Sequence, residues 1–278
     1  MVDLTHWIAT DECKLIKEDD QRWLATVFER FGGYPDLEQV WNLMDESWAE
    51  LICDPFVTNG RIAAYYSHPV WVLNGLFIEQ HAQSLYHRQR FVDWVIRQSP
   101  RLVAEFGGGF GGLARMIGQA LPTAEVEVIE PHPHPIAIAR AEKTENVRYR
   151  PALSGEFDVM IATDVFEHVP DPLQMVADTA KHLRMGGQYL IANCFAAVIL
   201  CHLPQTFHFR YSWDFALRVM GLEPRDSVAY GRVFVRTGQL NLDAARAVEK
   251  RSRTLWHITR HLPGQVARPL TKILLSFF

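Results

Sequence analysis

Residues 101–130, RLVAEFGGGFGGLARMIGQALPTAEVEVIE, hold the clearest chemistry in the chain. A short apolar run, Leu102-Val103-Ala104, leads to Glu105 and then to five glycines interrupted only by Phe110. Leu113, Met116, Ile117 and Leu121 follow at helical spacing, and a second run beginning at Val126 ends on Glu130. The order is strand, glycine turn, helix, strand, acid, a βαβ unit that suits a nucleotide. Glycine reaches backbone angles closed to other residues and lets a ligand press on bare backbone. The helix that starts there turns unpaired N–H groups and a partial positive charge toward that ligand. Glu130, at the C-terminal end of its strand, can accept hydrogen bonds from two ribose hydroxyls.

The glycines fit two templates. Gly107, Gly109 and Gly112 satisfy the dinucleotide pattern G-x-G-x-x-G, and Glu105, Gly107, Gly109 and Gly111 satisfy E-x-G-x-G-x-G. Glu105 separates them. A carboxylate at the first strand tip suits a ligand with a cationic amino group and repels a pyrophosphate. A second candidate stretch is FDVMIATDVFEHVPDP, residues 157–172. Its nearly continuous apolar start reads as a strand buried on both faces. Its end carries Thr163, Asp164, Glu167 and His168, just past the strand where ligands sit in open α/β sheets. A histidine there suits general-base work on a hydroxyl, with Glu167 to orient it. His208 and His202 are further candidates, His208 also as a structural link to the following helix. The His132 and His134 pair beside Glu130 sits among three prolines with no further ligand, so no metal site is expected.

The elements that must position these groups follow from the rest of the chain. Residues 1–98 read as a helical layer with six of the eight tryptophans. Helices are expected over 18–31, after a cap at Asp36, and over a long stretch from 71 to 98, with a loop at 54–69. The Tyr65-Tyr66-Ser67-His68 loop and the face with His81, Tyr86 and His87 are the places there for acceptor contacts. The core over 99–240 reads β-α-β-α-β-β-α-β-α-β-β. Its third helix is expected over 173–183, its fifth strand over 189–192 and a helix capped by Ser212 over 214–220. A closing hairpin turns at Gly231-Arg232. The fold expected is α/β, a Rossmann-like, mostly parallel seven-stranded sheet with an antiparallel C-terminal hairpin behind an N-terminal helical layer.

Residues 241–278 form a third region. From 243 onward it carries seven Lys/Arg against two Asp/Glu, in a chain whose net charge is −4. A basic amphipathic helix is expected over 243–262, with Ala247, Leu255, Ile258 and Leu262 on one side. An apolar end runs to Phe277 and Phe278. The tail invites docking on its own core, on a protein partner or second copy, or peripherally on an anionic membrane. The net charge gives no reason to expect nucleic acid. The four cysteines form no C-x-x-C pair and read as reduced thiols of a cytoplasmic protein. Residues 186–204 lack charge but contain Gln188, Asn193 and His202, so a core strand is expected rather than a membrane span.

Taken together, E-x-G-x-G-x-G, Glu130 and the run from Phe157 to Pro172 resemble class I S-adenosylmethionine-dependent methyltransferases. The fourth-strand sequence and His208-Phe209-Arg210-Tyr211-Ser212 look most like the small-molecule branch that includes quinone and sugar methyltransferases. The resemblance implies that Gly107, Gly109 and Gly111 line the methionine and ribose part of the cofactor. It implies that Glu105 contacts its amino group, Glu130 its ribose, and Thr163 and Asp164 flank the sulfonium. It also implies methylation of a small molecule, with O-methylation of a sugar or glycolipid intermediate as the first expectation. A nicotinamide-dependent oxidoreductase and a non-catalytic scaffold of the same fold are the rival expectations. One departure stands: residues 151–154, PALS, lack the acid that often reads the adenine amino group.

Overall fold

The computed structural model describes residues 7–276. Phe277 and Phe278, the last residues of the expected apolar end, and residues 1–6 of the helical layer lie outside the described residues. Seven strands form one sheet in the order β3-β2-β1-β4-β5-β7-β6. They are β1 (Leu102–Phe106), β2 (Glu125–Ile129), β3 (Val147–Arg150), β4 (Phe157–Thr163), β5 (Leu183–Ala192), β6 (Leu222–Val228) and β7 (Gly231–Arg236). β1 with β4, β2 with β3 and β4 with β5 run parallel, and β7 is antiparallel to both β5 and β6. The expected mostly parallel sheet with an antiparallel hairpin is therefore present.

The described residues fall into two compact units. The first holds residues 7–99, 107–152 and 199–201. Its helices are α1 (Thr10–Cys13), α2 (Glu18–Phe31), α3 (Leu37–Glu50), α4 (Gly60–Tyr66), α5 (Pro69–Ile78), α6 (Ala82–Gln98), α7 (Gly112–Ala120) and α8 (Pro135–Ala141). Local signals set most ends. Asp36 and Gln39 close a reciprocal capping box on α3, and Gly32 ends α2 in the left-handed conformation at φ 66°. Two expectations need correction. Residues 54–69 are not all loop, because Asn59 accepts from the Arg61 N–H and starts α4. The long helix from 71 to 98 is two helices. Pro69 pre-sets the first turn of α5, His68 caps it, and the chain breaks at residues 79–81.

The tryptophans of this layer are mostly core: Trp7, Trp48 and Trp94 are buried, while Trp41 is exposed. Tyr65 is wholly buried, edge-on to Trp48 and Trp71 at 5.0 and 5.6 Å. Of the surface expected there, Tyr66 and Tyr86 are exposed.

The second unit holds residues 100–106, 153–198 and 202–276. Its helices are α9 (Pro172–Ala180), α10 (Trp213–Met220), α11 (Leu242–Thr259) and α12 (Gly264–Ser276). β4 is buried throughout Val159–Ala162, as its unbroken apolar run requires. Four local expectations change. α9 stops at Ala180 and β5 begins at Leu183, where it pairs with Phe157 across a register irregularity. Ser212 precedes α10 but does not cap it, because its hydroxyl donates to the His208 carbonyl and meets the Ser252 hydroxyl. The hairpin turns at Ala229-Tyr230, with Ala229 at φ 48°. Gly231 is a strand residue instead. A Cβ there would stand 3.2 Å from the Ala192 Cβ, so glycine lets β7 pack closely on β5. The fourth change is the buried face of α11. Ala245, Val248, Glu249, Ser252 and Thr259 point inward, while Ala247 and Ile258 are exposed. Ser252 can face inward because His208 and Ser212 meet its hydroxyl, and Glu249 because Arg246 and Arg253 of the same helix pair with it at 2.8 and 2.7 Å. No described helix is long and apolar enough to cross a membrane.

Candidate active site

In the first unit the glycine turn follows β1 and leads into α7. Gly107, Gly109 and Gly111 all take left-handed angles, at φ 69°, 51° and 66°. Only glycine adopts three such angles in five residues without strain. Space selects further. A Cβ on Gly111 would lie 2.6 Å from the Tyr149 hydroxyl, which donates to the Gly109 carbonyl at 2.9 Å. A Cβ on Gly109 would meet nothing within 4 Å, so the turn presents open backbone at that point. Phe110, the one side chain in the turn, is an anchor. It stacks on His134 at 5.5 Å and fills the place where a Cβ on Gly75 of α5 would be.

Glu130 follows β2. Its backbone N–H donates to the Arg150 carbonyl, and its carboxylate accepts from the His132 N–H at 3.2 Å. A groove of about 590 Å³ opens beside it, lined by Pro131, Pro133, Tyr149, Arg150 and Pro151 among others. His134 is spent on the fold. Its Nδ1 accepts from the Ile136 N–H and caps α8, and burial holds its pKa below the usual value.

An ion network steadies this unit. Glu79, between α5 and α6, pairs with both Arg115 of α7 and Arg140 of α8. Arg140 also pairs with Glu12 at 2.7 Å, and Arg115 donates to the Phe110 carbonyl at 2.6 Å. The break in the expected long helix thus places a carboxylate between two arginines, one of which, Arg115, holds the glycine turn.

In the second unit, Glu105 sits on β1 with 3% of its surface exposed, in register with Ile161 of β4. Thr163 ends β4. Asp164 takes φ 53°, an angle uncommon for a side-chain-bearing residue and typical of functional turns. Its N–H donates to the Ala192 carbonyl, and its Oδ2 accepts from the Tyr230 hydroxyl at 2.8 Å.

One helical turn later, Glu167 and His168 meet His202. Their ligand atoms lie within 4.8 Å of one another. The two imidazoles stand nearly perpendicular, 4.9 Å apart. His202 comes from the loop after β5, pinned because the Leu203 N–H donates to the Glu167 carbonyl at 2.9 Å. The His202 Nδ1 lies 2.8 Å from the Ala196 carbonyl, which can only accept, so Nδ1 carries the proton and Nε2 is left basic. Glu167 is fully buried. Its Oε1 accepts from the Cys194 N–H at 2.7 Å, and its Oε2 is buried without a hydrogen-bond partner. Burial first, and the charge of Asp164 second, push the Glu167 pKa up to about 8. Such a carboxyl keeps its proton at neutral pH. These three side chains can also coordinate a divalent ion, since each offers one nitrogen or oxygen donor.

His208 lies in a different, buried network. Its Nδ1 is 3.1 Å from the Ser252 hydroxyl, and Ser252 donates to the His208 carbonyl. Burial and nearby Arg253 lower its pKa to about 4. It ties the segment before α10 to α11, whereas its sequence position suggested a link to the helix that follows it directly. The structure therefore brings together Asp164, Glu167, His168 and His202, and gives His208 to packing. Tyr230 carries no signal of its own in the sequence, where Gly231-Arg232 marks the turn two residues late.

A model of the family described as "Methyltransferase domain" matches residues 104–189. The chain is 30% identical over 173 residues to the ubiquinone biosynthesis O-methyltransferase of Pseudomonas putida, covering 51% of this chain and 72% of that one. It is 29% identical over 143 residues to the protein of the same name from Azotobacter vinelandii, of whose length it spans 61%. That alignment covers 42% of this chain. Among solved structures it resembles mitomycin 7-O-methyltransferase, with a TM-score of 0.49 at 13% identity over 72% of this chain and 67% of that one. This chain belongs to the class I S-adenosylmethionine-dependent methyltransferases.

Proposed function

We propose that the protein moves a methyl group from S-adenosylmethionine to a hydroxyl oxygen of a small molecule. The observation that carries the reading is the Glu167–His168–His202 cluster, placed just past the C-terminal end of β4. Bound, the cofactor supplies a methyl group already activated on a sulfonium, so the chain's task is alignment, exclusion of water and proton removal. Gly107, Gly109 and Gly111 offer backbone to the methionine and ribose portion. Glu105 meets the amino group, and Glu130 accepts from the ribose hydroxyls. Thr163 and Asp164 border the reacting end. His168, half-buried, takes the acceptor's proton as the new bond forms. Glu167, protonated and buried, orients the cluster without adding a second negative charge beside Asp164. The names of the relatives support oxygen as the acceptor atom. Within that reaction, a sugar or glycolipid intermediate is the acceptor we favour.

Two variants test this. His168→Ala should retain S-adenosylhomocysteine affinity and lose about 100-fold or more in turnover, the usual range for a general base. Full turnover in that variant would reassign the base. Gly109→Arg should abolish cofactor binding in calorimetry; unchanged binding would remove the glycine turn from the cofactor site. Turnover unaffected by a chelator supports proton transfer at the cluster. Loss of turnover restored by a divalent ion would give the three residues to a metal.

A further inference from the structure

A second cavity, about 320 Å³, opens in the second unit past the C-terminal end of β5. Its charges are one-sided. Arg210, Arg232, Arg268 and Lys272 line it with a single carboxylate, Asp214. Asp214 is taken, because it pairs with Arg232 at 3.2 Å. Arg210, Arg268 and Lys272 have no carboxylate within ion-pair distance among the described residues. Arg268 and Lys272 lie four residues apart on α12, and so on one face of that helix.

The uncharged lining points the same way. Trp213 is 8% exposed, yet its buried indole N–H lacks a hydrogen-bond acceptor. The Asn193 amide is buried without a partner on either polar atom. A buried polar group left without a hydrogen bond is unfavourable. These three polar atoms belong to two residues that line the cavity, directly behind its surface. The remaining wall is aromatic, with Phe195 and Phe209 packed on Trp213 at 4.9 and 5.1 Å. Tyr230 also lines the cavity, and it is the residue whose hydroxyl donates to Asp164.

We propose that this cavity anchors the methyl acceptor by a phosphate or diphosphate group. Arg210, Arg268 and Lys272 hold the phosphoryl oxygens, and the indole N–H of Trp213 and the Asn193 amide add hydrogen bonds. The aromatic wall holds the ring next to the phosphate. Tyr230 stands where the acceptor enters and fixes Asp164 in its left-handed turn. The proposal rests on the methyltransferase reading above and adds the class of acceptor. It also assigns the basic C-terminal helix a ligand rather than a membrane.

Phenyl phosphate and inorganic phosphate serve as probes on the full chain, read by tryptophan fluorescence and calorimetry, with phenyl glucoside as the neutral control. S-adenosylhomocysteine binding is measured in parallel. Phenyl phosphate should saturate the wild-type protein, inorganic phosphate should bind more weakly, and phenyl glucoside should not bind. Arg268→Gln with Lys272→Gln, both on exposed positions, should weaken phenyl phosphate about tenfold or more and leave S-adenosylhomocysteine affinity unchanged. Trp213→Phe should weaken it to a smaller degree. Absence of saturable phenyl phosphate binding in the wild type, or equal affinity in the double variant, overturns the anion site. Normal phenyl phosphate binding by a protein that does not bind S-adenosylhomocysteine overturns the methyltransferase reading and the acceptor assignment with it, while the anion site stands.

Discussion

Two groups of arginines in this protein live under opposite conditions. Arg115 and Arg140 of the first unit are 15% and 13% exposed, and both are paired with Glu79. Arg210 and Arg268 of the second unit line a cavity without a carboxylate partner among the described residues. The first pair spends its charge internally: Arg115 ties the glycine turn to Glu79, and Arg140 ties α8 to Glu79 and Glu12. The second keeps its charge available. A buried arginine without a partner is strongly unfavourable, whereas a solvated one facing a cavity is tolerated and can wait for an anion. Structural and functional arginines are thus separated by where their counter-ions are.

That comparison can be broken by substitution. Glu79→Gln removes the shared counter-ion of two buried arginines and should destabilise the fold by about 3–5 kcal/mol, measured by denaturant unfolding. A loss near the level of an exposed ion pair, under about 1 kcal/mol, would show that the network is solvated. Next in size, Gly111→Ala should cost about 1–2 kcal/mol for the left-handed angle alone, with a further loss as the Tyr149 hydroxyl is displaced. Arg268→Ala should fall at the bottom, within about 0.5 kcal/mol of wild type, because the residue is exposed and has no ion pair among the described residues. If Arg268→Ala proves as costly as Glu79→Gln, the contrast between the two groups fails.

Between these extremes sits the pH dependence of Glu167. Its folded pKa is raised to about 8 from the ordinary carboxyl value of 4.5, so the folded state holds the proton more tightly than the unfolded chain does. The resulting stabilisation is fully present below about pH 4.5 and is lost as pH rises through about 8. Over that window wild-type stability should fall by up to about 1.4 kcal/mol per pH unit relative to Glu167→Gln, which lacks the titrating group. Parallel pH–stability curves for the two proteins would show that Glu167 is solvated.

The sheet was readable because its signals are local. Glu105, the glycines and Glu130 lie within 26 residues, and Phe157–Thr163 announces a buried strand by composition alone. The cluster was half readable. Glu167 and His168 are neighbours in sequence, but His202 reaches them through a loop pinned by one backbone hydrogen bond, which no periodicity encodes. The hairpin was misplaced for a physical reason. Gly231 looks like a turn residue, yet it is there to let β7 approach Ala192, and Ala229 takes the left-handed angle instead. The helix break at residues 79–81 left no glycine or proline to mark it; Glu79 has its partners in α7 and α8, far along the chain.

The carboxylate shared by Arg115 and Arg140 also constrains how this scaffold can be rebuilt. Grafting the helices of residues 7–99 onto another glycine-turn core would import Glu79 and Glu12 into a setting that lacks their cations unless α7 and α8 carried matching arginines. The four residues come from four separate places in the chain, so a chimera joined at any single crossover between Glu12 and Arg140 breaks the set. Exchange of this layer between related enzymes is therefore a multi-site operation, and designs that treat it as a detachable module should fail to fold.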